Sequence, residues 1–428
     1  MIFYIPSRLA GLLAAASVLL TVPAQAQVGS PLRRVLRTDT SAVVRKVLAH
    51  PDAYRLQILY TQIDRDAQNQ PHFRTYKYRV HPRRYFYPAS TVKLPAAVLA
   101  LEKLRALRSQ IPEFTPESPL RIDSAYEGQT RVVRDTSAAT GRASIAQYVR
   151  KVLLVSDNDA FNRLYEFVGR SQLRYGLRRR GYHNTRLLHR LSVGDKGFSA
   201  LHTNPFAFYA DTALERPIYV QPAAAAKAEV MQELPRRGEK IGKAYMDGDK
   251  LINEPMDFSQ KNFVSLADQQ NILKSVLFPG AVPAKNRFAL APDDYQFLRR
   301  YLSMLPRESD HPRYDAAHYP DNYAKFLLAG GAPAPLLPNV RIFNKIGQAY
   351  GFLIDNAYIV DYEHNIEFML SAVIYVNSDE VLNDDHYDYD AVGFPFLHDL
   401  GHAVYRRELA RTRKHRPDLR EFQLKYSQ

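Results

Sequence analysis

The sequence predicts an α+β fold, in which an antiparallel sheet flanked by helices is joined to an all-helical half. Two pairs of strand-like segments predict the sheet, residues 54–60 with 72–80 and residues 352–360 with 367–376. Helical periodicity prevails between these pairs. Segments from both ends of the chain would therefore complete one sheet, with a cleft between the sheet and the helices.

The first 26 residues have the pattern of a secretory signal peptide. Arg8 precedes an apolar run over residues 9–22, and Ala24-Gln25-Ala26 supplies the small residues of a cleavage site. The run is shorter than the roughly 20 residues that a membrane helix needs. The chain contains no cysteine, so it can form neither a lipoprotein anchor nor a disulfide. We expect a periplasmic or secreted protein without a membrane anchor.

Composition indicates a globular chain with a strongly basic surface. Of the 428 residues, 46% are hydrophobic, and the formal net charge is +14. Export makes nucleic acid an improbable partner, so the charge indicates either a solvated surface or attraction to anionic cell-envelope polymers. We expect a linker over residues 27–39, one domain over 40–410 and a basic, fraying C-terminal tail over 411–428.

The segment around Ser90 has the features of a nucleophile at the start of a helix. Proline is tolerated mainly in the first helical turn, so Pro88 and Pro95 mark a helix start. Lys93 follows Ser90 by three residues, which places both side chains on one helix face. A serine needs a neighbouring base, and a lysine can serve when burial lowers its pKa. The spacing therefore predicts a nucleophile and its base, although Ser-x-x-Lys alone is a common pattern.

Two further motifs follow in order, Ser156-Asp157-Asn158 within a helical pattern and Lys345-Ile346-Gly347 within a strand pattern. Ser-Asp-Asn alone would predict a helix cap. With Ser90-x-x-Lys93, the set resembles the Ser-x-x-Lys, Ser-Asp-Asn and Lys-Thr-Gly motifs of the serine β-lactamase and penicillin-binding superfamily, and class A most closely. The resemblance covers roughly residues 40–410 and implies a β-lactamase/transpeptidase-like fold.

The resemblance implies a role for each motif residue. Ser90 would be the nucleophile, and Lys93 and Ser156 the base and proton-transfer pair. Asn158 would bind an amide of the substrate, and Lys345 would face its carboxylate. Gly347 would let the substrate backbone approach the strand, while the N–H groups of Ser90 and Gln348 would form the oxyanion hole. No metal or organic cofactor is implied.

Two departures from the family pattern affect the expected activity. Ile346 stands where the family has a threonine or serine whose hydroxyl binds a carboxylate. The segment that begins at Asn184 resembles the class A Ω-loop, but Leu191 and Ser192 stand where a water-activating glutamate is expected. Glu166 lies too early in the chain, and Asp195 fits a turn better than a base. We therefore expect acylation of the serine followed by slow deacylation.

Three segments lie outside the motif set. An insertion over about residues 205–262 should contain an Ala-rich helix over 223–231 and a hairpin about 247–249, and would be either a lid or a surface elaboration. His398 and His402 have the spacing of zinc ligands without the acid of a zincin motif, which favours an exposed helix face. The acid-rich residues 384–390 lack the glycine and glutamate of an EF-hand, which favours a solvated loop over a calcium site.

These observations predict an exported serine hydrolase, similar to class A β-lactamases and acylated at Ser90 by a β-lactam or related amide. The same motifs fit a D,D-peptidase that acts on the acyl-D-alanine end of peptidoglycan stems. A catalytically idle module that binds wall peptides also remains open.

Export makes a prediction that needs no assay of activity. The mature protein should begin at Gln27, because signal peptidase would cleave after Ala26. N-terminal sequencing of the protein from a soluble periplasmic or secreted fraction tests this prediction. Recovery of intact Met1 in the membrane fraction would contradict it.

Overall fold

A computed structural model of the chain describes residues 29–194, 201–225, 236–331 and 336–426. The predicted signal peptide, Asp195 and most of the predicted Ala-rich helix lie outside these ranges. Among the described residues, no helix combines the length and the apolar composition needed to cross a membrane.

In the described residues, helices occur near both ends of the domain as well as in its middle. In chain order they are α1 (Pro31–Thr38), α2 (Ala42–Ala49), α3 (Lys93–Arg108), α4 (Ile145–Leu154), α5 (Asn158–Val168), α6 (Arg170–Arg178), α7 (Leu266–Leu277), α8 (Pro292–Ser303) and α9 (Phe394–Leu409).

Most strands are short, and only five are long enough to build a substantial sheet. In chain order the strands are β1 (Gln57–Arg65), β2 (Pro71–Tyr78), β3 (Leu120–Ile122), β4 (Thr185–Arg186), β5 (His202–Thr203), β6 (Phe206–Tyr209), β7 (Pro217–Gln221), β8 (Ala224–Ala225), β9 (Lys240–Ile241), β10 (Ala244–Asp247), β11 (Lys250–Ile252), β12 (Met256–Asp257), β13 (Phe263–Val264), β14 (Val340–Ala349), β15 (Phe352–Asp361), β16 (Ile366–Tyr375) and β17 (Val381–Leu382).

The five long strands form one antiparallel sheet in the order β14-β15-β16-β1-β2. Gln57 lies opposite Val373, so the pairing of β1 with β16 joins the two ends of the chain. The third motif lies in the edge strand β14, where Lys345 is opposite Asn356. The predicted α+β fold, with one sheet built from both chain ends, is confirmed.

Helices cover both faces of the sheet. Successive residues of a strand point to opposite faces, and β15 shows this clearly. Ile359 packs with residues of α1, α2 and α9, whereas Tyr358 and Val360 pack with residues of the helical half, α3 to α8. The sheet is therefore a buried wall between two layers of helices, and its edge strand β14 is held firmly in place.

The predicted linker and tail differ from the structure. Residues 31–38 form α1, whose Leu32, Val35 and Leu36 are buried. At the other end Phe422 is fully buried, with its ring centroid 4.9 Å from that of Tyr358. Burial of these apolar residues favours folding, so the described parts of both segments belong to the folded domain.

The segment predicted as an insertion consists of short strands in the described residues. β6 pairs with β3 on one side and with β7 on the other, and Tyr245 lies opposite Ile252 in the predicted hairpin, β10–β11. The predicted Ala-rich helix is wrong at its start, because Ala224 and Ala225 form β8 against β5. Its remainder, residues 226–231, lies outside the described residues.

Candidate functional site

Ser90 lies in one turn of 3-10 helix over Ala89–Val92 that leads directly into α3. Ala89 has a φ of +46°, a conformation that is strained for a residue with a side chain and that clusters at functional sites. The turn is fixed by Thr91, whose hydroxyl donates to the Pro88 carbonyl over 2.7 Å. Ser90 is thus presented at a helix N-terminus, partly exposed, as the Ser-x-x-Lys pattern predicted.

The Lys93 amine lies among four oxygen atoms. Its Nζ is 2.8 Å from Ser90 Oγ, 2.7 Å from Asn158 Oδ1 and 3.1 Å from Ser156 Oγ, and it also donates to the Ser156 carbonyl. Two of these, the carbonyl and Asn158 Oδ1, can only accept hydrogen bonds. A neutral amine has two hydrogens and one lone pair, so these two acceptors take both hydrogens. The lone pair is then free to accept the proton of Ser90.

Burial makes the neutral form of Lys93 accessible. The side chain is fully buried, and this burial lowers the pKa of Lys93 to about 7, with Asp157 opposing the shift. Burial also lowers the pKa of Lys345 well below its usual value, and the Lys93 charge lowers it further. Two amines near one hydroxyl therefore disfavour each other's protonation.

Ser156 lies in a break between two helices rather than within one helix. α4 ends at Leu154 and α5 begins at Asn158, and Ser156 has a φ of +61°. Asp157 caps α5, with its carboxylate accepting from the Ala160 N–H over 2.8 Å. The cap and the functional interpretation of this motif are therefore compatible, because Asp157 caps the helix while its two neighbours reach the Lys93 amine.

Ser156 also connects the helical half to the sheet. Lys345 Nζ donates to Ser156 Oγ over 2.7 Å. With amines on both sides of Ser156 Oγ, the hydroxyl hydrogen can be directed into the cleft when both amines donate. The side chains of Ser90, Lys93, Ser156 and Lys345 thus form one continuous chain of hydrogen bonds, drawn from three separate parts of the sequence.

Gly347 is required for the close packing of β14 against the turn that carries Ser90, a role that the sequence did not indicate. A Cβ at this position would lie 2.6 Å from the Pro88 carbonyl and 3.3 Å from the Ala89 Cβ. Real Cβ contacts are not this short, so only glycine lets β14 approach the turn that carries Ser90. The prediction that Gly347 admits the substrate backbone stays untested, whereas its contact with the nucleophile turn is direct. Gln348, the next residue, is exposed and lines the cleft.

Asn158 and Asn162 hold the loop that contains Leu191 and Ser192, the segment that resembles the Ω-loop. Its Nδ2 donates to Ser192 Oγ over 2.9 Å while its Oδ1 accepts from Lys93. The amide of Asn162 pairs with both backbone groups of Leu191, at 2.8 and 2.9 Å. Ser192 is therefore fixed beside the site, exposed at the cleft where the family pattern has its glutamate. Sequence inspection placed Ser192 at this position but found no partner for it.

Other candidate bases near this loop are already engaged. Glu166 is buried, and its carboxylate accepts from Arg190 over 2.5 Å and from the Asn204 N–H over 2.9 Å. His189 Nε2 accepts from the Asn262 N–H over 3.2 Å, which leaves Nδ1 to donate to the Arg190 carbonyl over 2.6 Å. Both side chains hold the loop in place, and Asp195 lies outside the described residues.

The cleft in front of Ser90 has a volume of about 710 Å³ and is rich in aromatic rings. The acid-rich loop, predicted to be a solvated segment, forms part of its wall through Asp385, Tyr387 and Tyr389. Tyr389 accepts from the Gly351 N–H over 2.9 Å, which joins this loop to the end of β14. Asp385 is the one carboxylate among the described residues that line the cleft.

A second buried network supports the cleft from behind. Lys325 Nζ donates to Asn344 Oδ1 over 2.6 Å, and Asn344 Nδ2 donates to Asp355 Oδ1 over 2.7 Å. The other Asp355 oxygen accepts from the backbone of Phe326 and Leu327, both at 3.0 Å. Phe326 lines the cleft, so this network sets the position of a cleft wall. No sequence motif indicated it.

The metal-like patterns do not form metal sites in the described residues. No cluster of three or more His, Cys, Asp or Glu side chains there has the arrangement that could hold a metal ion. His398 pairs with Asp399 over 2.9 Å, and His402 faces the Leu328 carbonyl over 3.2 Å. Both histidines lie half-buried on α9, so the predicted exposed face is partly covered.

Residues 42–234 match the model of the Beta-lactamase2 family, described as a β-lactamase enzyme family. This stretch contains Ser90, Lys93 and the Ser-Asp-Asn motif. The match confirms the resemblance to the serine β-lactamase and penicillin-binding superfamily and supports a hydrolase of the β-lactamase type. A comparison with curated proteins gives no match.

The chain is also similar to solved β-lactamase structures at low identity. A β-lactamase from Xanthomonas campestris pv. campestris has 16% identity over 89% of this chain and 97% of its own, with a TM-score of 0.46. One from Desulfarculus baarsii has 15% identity, coverages of 87% and 98%, and a TM-score of 0.45. One from Sphaerobacter thermophilus has 12% identity, coverages of 88% and 96%, and a TM-score of 0.44.

The lowered pKa of Lys93 predicts a pH profile for acylation. The neutral amine accepts the Ser90 proton, so the second-order rate constant for acylation should rise with pH to about 7 and then level off. Stopped-flow acylation across pH 5–11 measures this profile. Lys103 is a matched control, because it lies on the same helix and burial lowers its pKa to about 8, but its amine donates to Gln221 Oε1 and not to Ser90. Lys103→Met should keep the profile, and a rise that continues past about pH 10 in the wild type would contradict the role of Lys93.

Proposed function

We propose, from the confirmed resemblance to the serine β-lactamase superfamily, that the protein is an exported serine hydrolase acylated at Ser90 by a β-lactam or related amide. One observation carries the proposal. The Lys93 amine lies 2.8 Å from Ser90 Oγ, with its own hydrogens directed at two oxygens that can only accept. This arrangement is that of a general base beside a nucleophile.

The acylation step follows from the hydrogen-bond chain. Ser90 Oγ attacks the carbonyl carbon of the amide while its proton passes to Lys93 Nζ. The C–N bond of the amide then breaks, and the leaving nitrogen takes a proton from Ser156, which is replenished from Lys93. Lys345 stabilises negative charge near Ser156 when it is protonated. The products are an ester at Ser90 and a free amine, so every proton is accounted for.

The oxyanion hole of this proposal is formed by the backbone N–H groups of Ser90 and Gln348. The approach of β14 to the nucleophile turn, which Gly347 permits, supports this pairing because it brings the two segments together. A single donor of this kind contributes about 3–4 kcal/mol in serine hydrolases. Asn158 would contact the substrate amide only after its Nδ2 leaves Ser192.

Three features of the site argue against efficient recognition of penicillin-type carboxylates. Ile346 removes a hydroxyl, and a hydrogen bond to a charged group is worth roughly 1.5–3 kcal/mol. Asp385 adds a negative charge to the wall. Lys345 donates to Ser156 Oγ, but burial lowers its pKa, which weakens its attraction for a carboxylate. The preferred substrate is therefore an amide with a neutral or cationic group beside the scissile bond, flanked by apolar or aromatic substituents.

Deacylation is slow in this proposal because no described residue of the loop that contains Leu191 and Ser192 is available as a base for water. Leu191 and Ser192 occupy the loop, and Glu166 and His189 are engaged in holding it. Slow deacylation also favours a second candidate, a D,D-peptidase. Penicillin-binding proteins as a class are acylated by β-lactams faster than they are deacylated. Release of D-alanine from an acyl-D-alanyl-D-alanine peptide distinguishes the two, and failure to acylate with any amide would favour a wall-peptide-binding module.

Labelling of the nucleophile tests the proposal directly. A fluorophosphonate or β-lactam probe should add one covalent mass to the peptide that holds Ser90, and Ser90→Ala should abolish the label. Ser192→Ala is the matched control, because it removes a hydroxyl from the same cleft without touching the Lys93 amine. Intact-protein mass spectrometry with peptide mapping gives the result. A label that persists in Ser90→Ala would disprove the assignment of the nucleophile.

A further inference from the structure

A second concave site is lined by arginines and shares no lining residue with the cleft in front of Ser90. Its volume is about 610 Å³, and its wall includes Arg55, Arg79, Arg84 and Arg237, with Asp52 as its one carboxylate among the described residues. Asp52 accepts from both Arg79 and Arg84 through the same oxygen. We call these four arginines with Asp52 the arginine pocket.

Long-range contacts assemble the arginine pocket from separate segments. The Arg237 N–H donates to the Arg83 carbonyl over 2.8 Å, and the Tyr85 N–H donates to the Arg237 carbonyl over 3.0 Å. Arg55 Nη1 donates to the Gly238 carbonyl over 2.9 Å, and a Cβ at Gly238 would lie only 3.0 Å from that nitrogen. The pocket therefore has fixed walls, and it is not a chance gathering of mobile surface side chains.

The backbone is strained at two of the arginines that line the arginine pocket. Arg55 has a φ of +42° and Arg79 has a φ of +55°, and residues with side chains adopt this region rarely. Burial lowers the pKa of Arg55, and the Arg84 charge lowers it further against the opposing effect of Tyr375. The fold thus holds Arg55 and Arg84 close together although their like charges repel.

We propose that the arginine pocket binds a phosphate or phosphodiester group. Guanidinium groups are planar forks that match phosphate oxygens with paired hydrogen bonds. The side chains of Arg79 and Arg84 are 29% and 33% exposed, so they are accessible to a ligand. A bound phosphate would compete with Asp52 for both of them. The phosphate is either free in solution or carried by an anionic lipid headgroup, and the site is independent of the acylation proposed for Ser90.

Calorimetric titration with inorganic phosphate, at constant ionic strength maintained with chloride, tests the proposal. Arg84→Gln should weaken binding roughly tenfold or more, the loss expected when a charge-assisted hydrogen bond disappears. Arg216→Gln is the matched control, because Arg216 is also paired with one acid, Glu113, but does not line the arginine pocket. Asp52→Asn should strengthen binding, because it removes the competing carboxylate.

Cosedimentation with phosphatidylglycerol or phosphatidylcholine vesicles distinguishes the two sources of phosphate. Binding to the anionic vesicles that depends on Arg84, without binding of free phosphate, identifies the headgroup. Titratable free phosphate identifies the soluble ion. The proposal is overturned if neither ligand binds, if Arg84→Gln and Arg216→Gln weaken binding equally, or if Asp52→Asn weakens it. The rate of Ser90 labelling should not change in Arg84→Gln, which separates this site from the catalytic cleft.

Discussion

The candidate site depends on the burial of one amine, Lys93 Nζ. Within 3.1 Å it contacts the nucleophile, the hydroxyl of Ser156 and the amide of Asn158. An exposed lysine at this position would be charged at neutral pH and could not accept a proton. Burial makes the charged form unfavourable, and the two acceptor oxygens orient the neutral form. The position of the Lys93 amine and its protonation state therefore both follow from the packing around this side chain.

The sheet and the helices must be held in register for this arrangement to survive. β14 brings Lys345 to Ser156 Oγ, and it can approach the Ser90 turn only because residue 347 has no side chain. The Lys325, Asn344 and Asp355 network fixes the same strand from behind. A displacement of β14 would separate Lys345 from Ser156 and so break the chain of hydrogen bonds that connects β14 to Lys93. The strained φ of Ala89 and Ser156 is held by these contacts on either side.

Much of the site could be predicted from the sequence because its motifs are local. Ser90 and Lys93 are three residues apart at a helix start, and the strand-like segment that contains Gly347 is also a local signal. What escaped prediction depends on contacts between distant residues. The partner of Asn158 is Ser192, and the acid-rich loop reaches the cleft through the bond between Tyr389 and Gly351. Phe422 looked like part of a charged tail, since its aromatic partners on other elements become visible only in the fold.

Fast acylation of Ser90 and slow hydrolysis of the ester are expected together, because Glu166 and His189 are engaged and no other described residue of the Leu191–Ser192 loop is available as a base for water. Rapid mixing with a chromogenic cephalosporin at several enzyme concentrations measures both rates in one experiment. A positioned base contributes about 10²–10⁴-fold in rate, so we expect a burst of one equivalent per enzyme followed by turnover slower by about that factor. Steady turnover without a burst, as fast as acylation itself, would show that deacylation is not slow and that another residue activates water.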